Sequence, residues 1–383
     1  MIVVIAAALR EDVRRPRAEA RSEVVLAGVV TPRPEPARGA QNPATAPPRD
    51  VRLTVAVSGD ILAHLPVVRR ARALAGSRGG YDFAPLLAPL RPLISAADLA
   101  ICHVETPLQA GSPVGYPRFR TPPELASAIH WTGWDACSTA SNHTLDQGEA
   151  GVRSTVQALD RAGVAHTGSY RSALARSRPL LLPVRGVTVA FMSYTATTNG
   201  LPLPRPWSVN LAEPERILAD ARRARRRGAD AVLVNLHWGT EYRHSPDQQQ
   251  LALARRLAAS KSITAVVGQH AHVVQPIRRV DRGWVVFGSG NLLSNQSAAC
   301  CSPATQDGMI VGLQLRVRGN RDTVTRIDYT PTWVRHPDFT VLPVGRALGR
   351  SSADRAALRA SWTRTVGIVG RSRQVRPVPL RLP

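Results

Sequence analysis

The 383-residue sequence has almost no lysine and few aromatic residues, and both shortages limit what it can bind. Lys261 is the single lysine, so the formal charge of +23 comes almost entirely from arginines spread along the chain. Aromatic residues make up 5%, which leaves little surface for stacking of single-stranded nucleic acid, and no nucleic-acid-binding motif is present. We therefore expect no nucleic-acid partner. The charge is interpreted as a compositional bias toward arginine, and it remains compatible with an anionic substrate.

Cysteine is also scarce. The four cysteines, Cys102, Cys137, Cys300 and Cys301, have no zinc-finger spacing and form no C-x-x-C motif. Their even number is compatible with disulfides in an exported protein and equally with free thiols. Adjacent cysteines rarely bond each other, so Cys300 and Cys301, if oxidised, are expected to reach different partners.

Long apolar runs are absent as well, since no stretch approaches the roughly 20 apolar residues of a membrane-spanning helix. The N-terminus, MIVVIAAALREDVRRPR, has a short apolar run with no basic residue before it, so it is incomplete as a signal peptide. Residues 1–50 are predicted to be a disordered leader or linker, interpretable as the remnant of an export signal. We expect an extracytoplasmic or cell-envelope location, with the cytoplasm as the alternative.

From residue 51 onward, predicted strands and helices alternate, as is typical of an α/β protein. Buried strands are expected at 51–60, 97–105, 135–141, 230–239 and 263–270, and helices at 122–133, 148–163, 213–228 and 247–260. A hairpin over 180–194 and consecutive strands after residue 273 indicate a partly antiparallel edge. The predicted domains are the leader at 1–50, a main domain at 51–345, and a C-terminal helix with a basic tail at 346–383.

Side chains that can bind a metal follow several of the predicted strands. They are Asp60, Glu105, Asn142 with His143, His237, and His270 with His272. Each alone has an ordinary interpretation as a turn, a helix cap or a core histidine. The carboxyl ends of strands form the ligand crevice of open α/β sheets. Six or seven oxygen and nitrogen donors meeting there are enough for two first-row metal ions.

The least ordinary of these motifs is VVGQHAHVVQP at 266–276. His270 and His272 flank Ala271, so on an extended chain both rings project to the same side with Cβ atoms about 7 Å apart. Two imidazoles placed in this way can reach one ion or two neighbouring ions.

The motifs, taken in order, resemble one known family. They are SGDILAH (58–64), DLAICHVETPL (98–108), the stretch beginning ASNHTLDQG (140–148), HWGTEYRH (237–244), VVGQHAHVVQP (266–276) and FGSGNLLSNQ (287–296). This order resembles the poly-γ-glutamate capsule biosynthesis (CapA-type) family of the calcineurin-like metallophosphatase superfamily. The resemblance spans about residues 52–345 and implies a four-layer α/β/β/α sandwich with a di-metal site at one end.

The resemblance also implies roles for individual residues around two divalent ions of Mn, Fe or Zn. Asp60 would bind the first ion and Glu105 would bridge the pair. The second ion would be bound by Asn142, His237 and His270. The first ion would also be bound by His272. His143, paired with Asp146, would be the acid near the leaving oxygen.

The sequence departs from the superfamily at the usual Asp-x-His motif, because Leu62 occupies the histidine position and His64 lies four residues after Asp60. The first ion is therefore short of one ligand, and its site is expected to be weakly occupied. A single-metal site, or a binding protein with vestigial ligands, is the alternative.

Four further residues are candidate substrate contacts: Arg120, Glu241, Tyr242 and Asn291. Arg120 can clamp an anion through two hydrogen bonds, although a surface arginine is the simpler interpretation. The leading hypothesis is a metal-dependent hydrolase that cleaves a phosphoester or amide in an anionic envelope polymer such as poly-γ-glutamate, alongside membrane-associated capsule machinery. The alternatives are a non-catalytic polyglutamate-binding or export factor, and a cytosolic phosphoesterase.

Overall fold

The computed structural model describes residues 50–350 and 353–379, so the predicted leader lies outside the described residues except for Asp50. Within these ranges, no helix combines the length and apolar content that crossing a bilayer requires.

The strands and helices alternate along the chain as the sequence pattern predicts. The strands are β1 Asp50–Ile61, β2 Leu99–Val104, β3 Ala136–Ser138, β4 Ala165–Thr167, β5 Leu180–Val184, β6 Val187–Thr195, β7 Ala231–His237, β8 Ala265–Gln269, β9 Ile277–Val280, β10 Gly283–Val286, β11 Asn291–Leu293, β12 Asp307–Arg318, β13 Arg321–Arg335, β14 Thr340–Pro343 and β15 Val375–Pro377. The helices are α1 Leu65–Ala75, α2 Ala84–Leu87, α3 Arg91–Ile94, α4 Glu124–Thr132, α5 Gly148–Ala162, α6 Ala173–Ser177, α7 Pro214–Arg226, α8 Gln248–Ala258, α9 Val344–Leu348 and α10 Arg355–Val369.

The strands form two sheets. The first has nine strands in the order β14-β13-β12-β1-β2-β3-β4, with β11 paired to β1 and β15 to β13. The second has six strands in the order β5-β6-β7-β8-β10-β9. In the first sheet β1 to β4 run parallel while β12, β13 and β14 are antiparallel, so the predicted antiparallel edge is present.

The two sheets pack face to face around the largest apolar core. Val55, Val57 and Ile101 of the first sheet share this core with Val189 and Leu233 of the second. Two other apolar clusters lie on the outer faces, where helices α1 to α4 cover the first sheet and α7 and α8 cover the second. The predicted four-layer α/β/β/α sandwich is thus confirmed.

The C-terminal helix is part of the main core. The helix predicted at 351–361 is found at Arg355–Val369, and its Leu358, Trp362 and Val366 pack into the cluster between the sheets. Arg364 also makes two hydrogen bonds, of 2.7 and 2.9 Å, to the buried carboxylate of Asp307 on β12. Helix α10 therefore packs with the sandwich.

All four cysteines are in disulfides. Cys102 and Cys137 are register partners on the parallel strands β2 and β3, and they bond each other across the sheet. Cys300 bonds its neighbour Cys301, so the expectation of different partners was wrong. The physical reason is a tight turn, in which the backbone N–H groups of both cysteines donate to the carbonyl of Ser297 and bring the two side chains together.

Candidate metal centre

Two buried carboxylates lie at the carboxyl ends of neighbouring strands in the first sheet. Asp60 is the penultimate residue of β1, and Glu105 directly follows β2, with its backbone N–H donating to the carbonyl of Ile61. A Cβ atom at Gly59 would collide with the carbonyl oxygen of Gly290, so glycine there lets the two segments close around Asp60. Both carboxylates are almost fully buried, at 0% and 1% exposure.

Three histidines reach the same place from the second sheet. His237 is the last residue of β7, and His270 and His272 follow the end of β8. The extended conformation expected around His270 and His272 was wrong, because their φ angles are +91° and +56°. The backbone N–H of His270 donates to Asp60 Oδ2 at 3.1 Å, and the carbonyl of Ala271 accepts from Tyr242. These two bonds fix a bend that brings both rings toward the carboxylates, in a backbone region that is costly for residues other than glycine.

The described residues form four overlapping groups of side chains that could hold a metal ion. The groups are Asp60 with His103 and His237, Glu105 with His237 and His270, Asp60 with Glu105 and His272, and Glu241 with His270 and His272. Within each group the ligand atoms lie within 4.8 Å of one another. These groups lie at the strand ends where the sequence analysis placed candidate ligands, and they include His103, which it did not name.

Unpartnered polar atoms in this cluster fit a bound cation. Asp60 Oδ1, both Oε atoms of Glu105 and Nδ1 of His270 have no hydrogen-bond partner among the described residues, and all are buried. Burying carboxylate oxygens without hydrogen bonds is costly, and His272, whose ring nitrogens lie 3.4 Å from Asp60 Oδ2 and 3.7 Å from Glu105 Oε1, supplies at most one positive charge for the two carboxylates. Carboxylate and imidazole donors together suit first-row divalent ions such as Mn, Fe or Zn.

Burial keeps most of these histidines neutral, as metal binding requires. It lowers the pKa of His103 to about 4 and that of His270 to about 3, and it holds the pKa of His237 well below its usual range. Burial raises the pKa of Glu105 well above its ordinary value. His272 differs, because Glu105 and Asp60 outweigh its burial and raise its pKa to about 9.

His143 and Asp146 lie beside this cluster in the loop after β3. His143 Nδ1 is 2.8 Å from Asp146 Oδ2, and both side chains face the same cavity. Asn142, the preceding residue, places its Oδ1 2.8 Å from His237 Nε2. The loop therefore contributes one group to the candidate metal cluster and a histidine–carboxylate pair next to it.

A cavity of about 620 Å³ opens over the cluster. Its lining includes Glu241 and Tyr242, as predicted for substrate contacts, together with His64, Phe119 and Arg118. The Cys300–Cys301 disulfide forms part of the wall. The cavity is thus large enough for a small anionic group or one unit of a polymer, and its lining includes the positively charged side chain of Arg118.

Two predicted substrate residues do not line this cavity. Arg120 instead donates from Nε and an Nη atom to Oε1 of Gln147, and Arg118 is the arginine that lines the cavity. Asn291 is fully buried, and its Oδ1 lies 3.1 Å from Nδ1 of His272. Asn291 therefore orients a candidate ligand, a position from which it cannot contact substrate.

His103 is the residue that the sequence analysis missed. It is directly opposite Asp60 in the register of β1 and β2, and it lies two residues before Glu105. The alternation of a strand puts residues two apart on the same face, so the pattern H-x-E in CHVE was the available signal. His64 lines the cavity but belongs to none of the four groups, and Leu62 leaves the usual histidine position apolar.

Comparison with known proteins identifies related sequences. The family model described as "Bacterial capsule synthesis protein PGA_cap" matches residues 54–296. Capsule biosynthesis protein CapA of Bacillus anthracis is 25% identical over 280 residues, covering 70% of this chain and 65% of that protein. PGA biosynthesis protein CapA of Bacillus subtilis is 27% identical over 283 residues, covering 69% and 70% respectively. The chain thus spans slightly less than two thirds of the Bacillus anthracis protein.

Solved structures with a similar arrangement are more distant. NAD nucleotidase of Haemophilus influenzae is 10% identical with a TM-score of 0.48, covering 86% of this chain and 64% of that one. The calcineurin-like phosphoesterase YfkN of Bacillus subtilis is 12% identical with a TM-score of 0.46, covering 83% and 98%.

Proposed function

The chain belongs to the bacterial capsule synthesis protein family, and from this premise we propose that it is a metal-dependent hydrolase of an anionic cell-envelope polymer. Its relatives are named for capsule or PGA biosynthesis, so poly-γ-glutamate is the proposed substrate class. The bond cleaved is an amide or phosphoester within or attached to that polymer.

One observation carries the proposal, namely buried carboxylate oxygens of Asp60 and Glu105 that have no hydrogen-bond partner, close to His272, which lines the cavity. The two carboxylates share His272 as a charged neighbour, and one imidazolium cannot balance both of them. The residues that would hold two divalent ions are Asp60, Glu105, Asn142, His237, His270 and His272. Ions bound there supply Lewis-acid activation of water and neutralise charge that develops on the substrate.

His143 is proposed to donate a proton to the leaving oxygen or nitrogen. Its Nδ1 is bonded to Asp146, so its Nε2 is the nitrogen left to meet substrate. The carboxylate accepts a hydrogen bond from Nδ1 and fixes the direction of the ring. In this proposal His143 transfers the proton to the leaving group, and the ion-binding cluster would activate the attacking water.

Arg118 is proposed to bind the anionic substrate in place of Arg120. It lines the cavity while Arg120 is occupied by Gln147, and an arginine pairs well with carboxylate or phosphate. Tyr242 and Glu241 also line the cavity and would position the remainder of the polymer unit.

The two disulfides support a location outside the cytoplasm, because disulfides persist in oxidising compartments.

The second candidate function is binding or export of polyglutamate without catalysis. It is favoured by the arginine in the cavity lining and uses the same cavity.

The test is metal content by elemental analysis, with turnover of a phosphodiester and of a γ-glutamyl oligomer measured on the same samples. Wild type is compared with the double variant His270→Ala/His272→Ala. Bound metal and turnover, both lost in the variant, are expected. Bound metal with oligomer binding and no turnover of either compound would favour the binding function, and failure to take up metal after reconstitution would contradict both the centre and the hydrolase.

A further inference from the structure

The imidazole of His103 links the candidate metal cluster to a serine on the neighbouring strand. Its Nε2 is 3.0 Å from Nδ1 of His237, and its Nδ1 is 2.7 Å from Oγ of Ser138. Ser138 Oγ is in turn 3.2 Å from the carbonyl oxygen of Cys102. All three side chains are fully buried, so water does not compete for these bonds.

The carbonyl of Cys102 determines which group donates and which accepts in each of these hydrogen bonds. A carbonyl can only accept, so the hydroxyl of Ser138 donates to it and then accepts from His103 Nδ1–H. Because Nδ1 carries the one hydrogen of the imidazole of His103, its Nε2 is bare. That bare nitrogen accepts from Nδ1–H of His237, and neutral His237 is left with a bare Nε2.

The bare Nε2 of His237 then lies close to two acceptor oxygens. It lies 2.8 Å from Oδ1 of Asn142 and 3.8 Å from Oε1 of Glu105. Lone pairs that approach each other so closely repel unless a positive charge lies between them. The arrangement is therefore one that a cation stabilises.

We propose that Ser138 and His103 are positioning residues that hold His237 as the Nδ1–H tautomer, with Nε2 free to bind metal. This inference rests on the proposed metal-dependent function and extends it to two residues that are outside the predicted ligand set. Outer partners of this kind fix the tautomer and ring direction of metal-binding histidines. His103 is not itself a ligand in this arrangement, because its Nε2 lone pair is used by His237.

In the competing arrangement, the hydrogen bonds between Ser138, His103 and His237 run in the opposite direction. Ser138 would donate to His103 Nδ1, His103 Nε2–H to His237 Nδ1, and His237 Nε2–H to Asn142 Oδ1. That chain leaves the contact between Ser138 Oγ and the carbonyl of Cys102 without a hydrogen, and it blocks Nε2 of His237. The two arrangements hold the same number of protons and have the same charge, so they differ in the tautomers of His103 and His237.

Nitrogen-15 NMR of the histidine side chains in metal-free wild type tests the tautomer directly. Signals are assigned by loss in His237→Gln and His103→Gln, and a hydrogen on Nδ1 of both residues is expected. A hydrogen on Nε2 of His237 would overturn the inference. This result does not depend on whether the protein hydrolyses anything.

Metal affinity, measured by competition with a chelator dye using Mn²⁺ or Zn²⁺, tests the consequence. His103→Leu is expected to weaken affinity about 10- to 100-fold and Ser138→Ala about tenfold. His103→Gln should retain most of the affinity, since its amide oxygen can accept from His237. Ser193→Ala, a change at another fully buried strand serine, should have no effect. Unchanged affinity in His103→Leu and Ser138→Ala would refute the inference while leaving the metal centre intact, whereas a wild type without metal would instead refute the proposed function.

Discussion

His143 and Asp146 form a rigid pair in which the histidine Nδ1 lies 2.8 Å from the carboxylate Oδ2. The same oxygen accepts from the backbone N–H of Phe119 at 2.7 Å. The ring of Phe119 packs edge-on against the imidazole, with centroids 4.8 Å apart. His143 is thus held from two sides and presents its other nitrogen to the cavity.

Asp146→Asn should slow the cleavage of poor leaving groups more than that of good ones. Without the carboxylate, the ring of His143 loses the hydrogen bond that orients it for proton donation, and only a poor leaving group needs that proton. A loss of roughly 10²–10⁴-fold in kcat is expected for an alkyl or phenyl phosphodiester. The nitrophenyl analogue should lose much less, as measured by steady-state kinetics on both compounds.

Asp160→Asn is the matched control, because Asp160 pairs with His166 at 3.1 Å in an exposed position outside the cavity. It should leave both rates unchanged. Equal losses for both leaving groups in Asp146→Asn would indicate that the pair has a structural role only.

Metal affinity should rise with pH up to about 9. In the metal-free protein the carboxylates of Glu105 and Asp60 outweigh burial and raise the pKa of His272 to about 9, so its proton must leave when an ion binds. The raised pKa means that imidazolium stabilises the metal-free fold fully below about pH 6.5 and progressively less as pH approaches 9. Titration calorimetry at several pH values, in two buffers with different ionisation enthalpies, measures the affinity and the released protons.

His130→Asn, a change at an exposed histidine on α4, should preserve this pH dependence. Affinity that stays constant from pH 6 to 9 without proton release would contradict the protonated state of His272 in the metal-free protein.

The sequence was sufficient to predict which strand ends meet, because Asp60, Glu105, His237 and His270 follow regular buried strands. It was insufficient where the backbone leaves regular geometry. The bend with positive φ angles at His270 and His272 is held by a hydrogen bond that the backbone N–H of His270 donates to Asp60, 210 residues away in the chain. Local pattern carries no information about such a distant partner.

The sequence analysis named Arg120 and not Arg118, because local pattern does not indicate which arginine of this loop lines the cavity. Both residues lie in one short loop segment, and only the contact of Arg120 with Gln147 decides which one is free to line the cavity. His103 was missed because it resembles an ordinary core residue of a buried strand until its register with Asp60 is known.

Arg118→Ala should raise KM for an anionic substrate with little change in kcat. Arg118 lines the cavity and belongs to none of the four candidate metal groups, so we expect its loss to remove binding that is equal in the ground and transition states. A charge-assisted hydrogen bond contributes about 1.5–3 kcal/mol, which corresponds to roughly a 10- to 150-fold increase in KM. Kinetics or equilibrium binding of a γ-glutamyl oligomer measures the change.

Arg120→Ala is the control from the same loop and removes the same charge. Its KM should stay near that of wild type, because its guanidinium bonds to Gln147. If Arg120→Ala and Arg118→Ala raise KM equally, the effect is one of overall charge and Arg118 does not bind substrate directly.

Arg364→Ala should destabilise the whole sandwich through Asp307. Asp307 is 2% exposed, and its carboxylate receives both hydrogen bonds from Arg364 of α10. Removing one partner of a buried ion pair costs about 3–5 kcal/mol, because the remaining charge is left unpaired. Chemical denaturation measures the loss, and Arg153→Ala, which breaks an exposed pair with Glu149 on α5, should cause no measurable loss.

The pH dependence separates an unpaired charge from simple loss of packing. Burial already raises the pKa of Asp307 although Arg364 opposes the shift, and without Arg364 the pKa should rise further. A carboxyl whose folded-state pKa is raised stabilises the fold while protonated and loses that contribution as pH rises through the raised pKa. The deficit of Arg364→Ala relative to wild type should therefore be smaller at pH 5 than at pH 8. An equal deficit at both values would mean that the arginine stem stabilises α10 by packing, and that Asp307 is compensated in some other way.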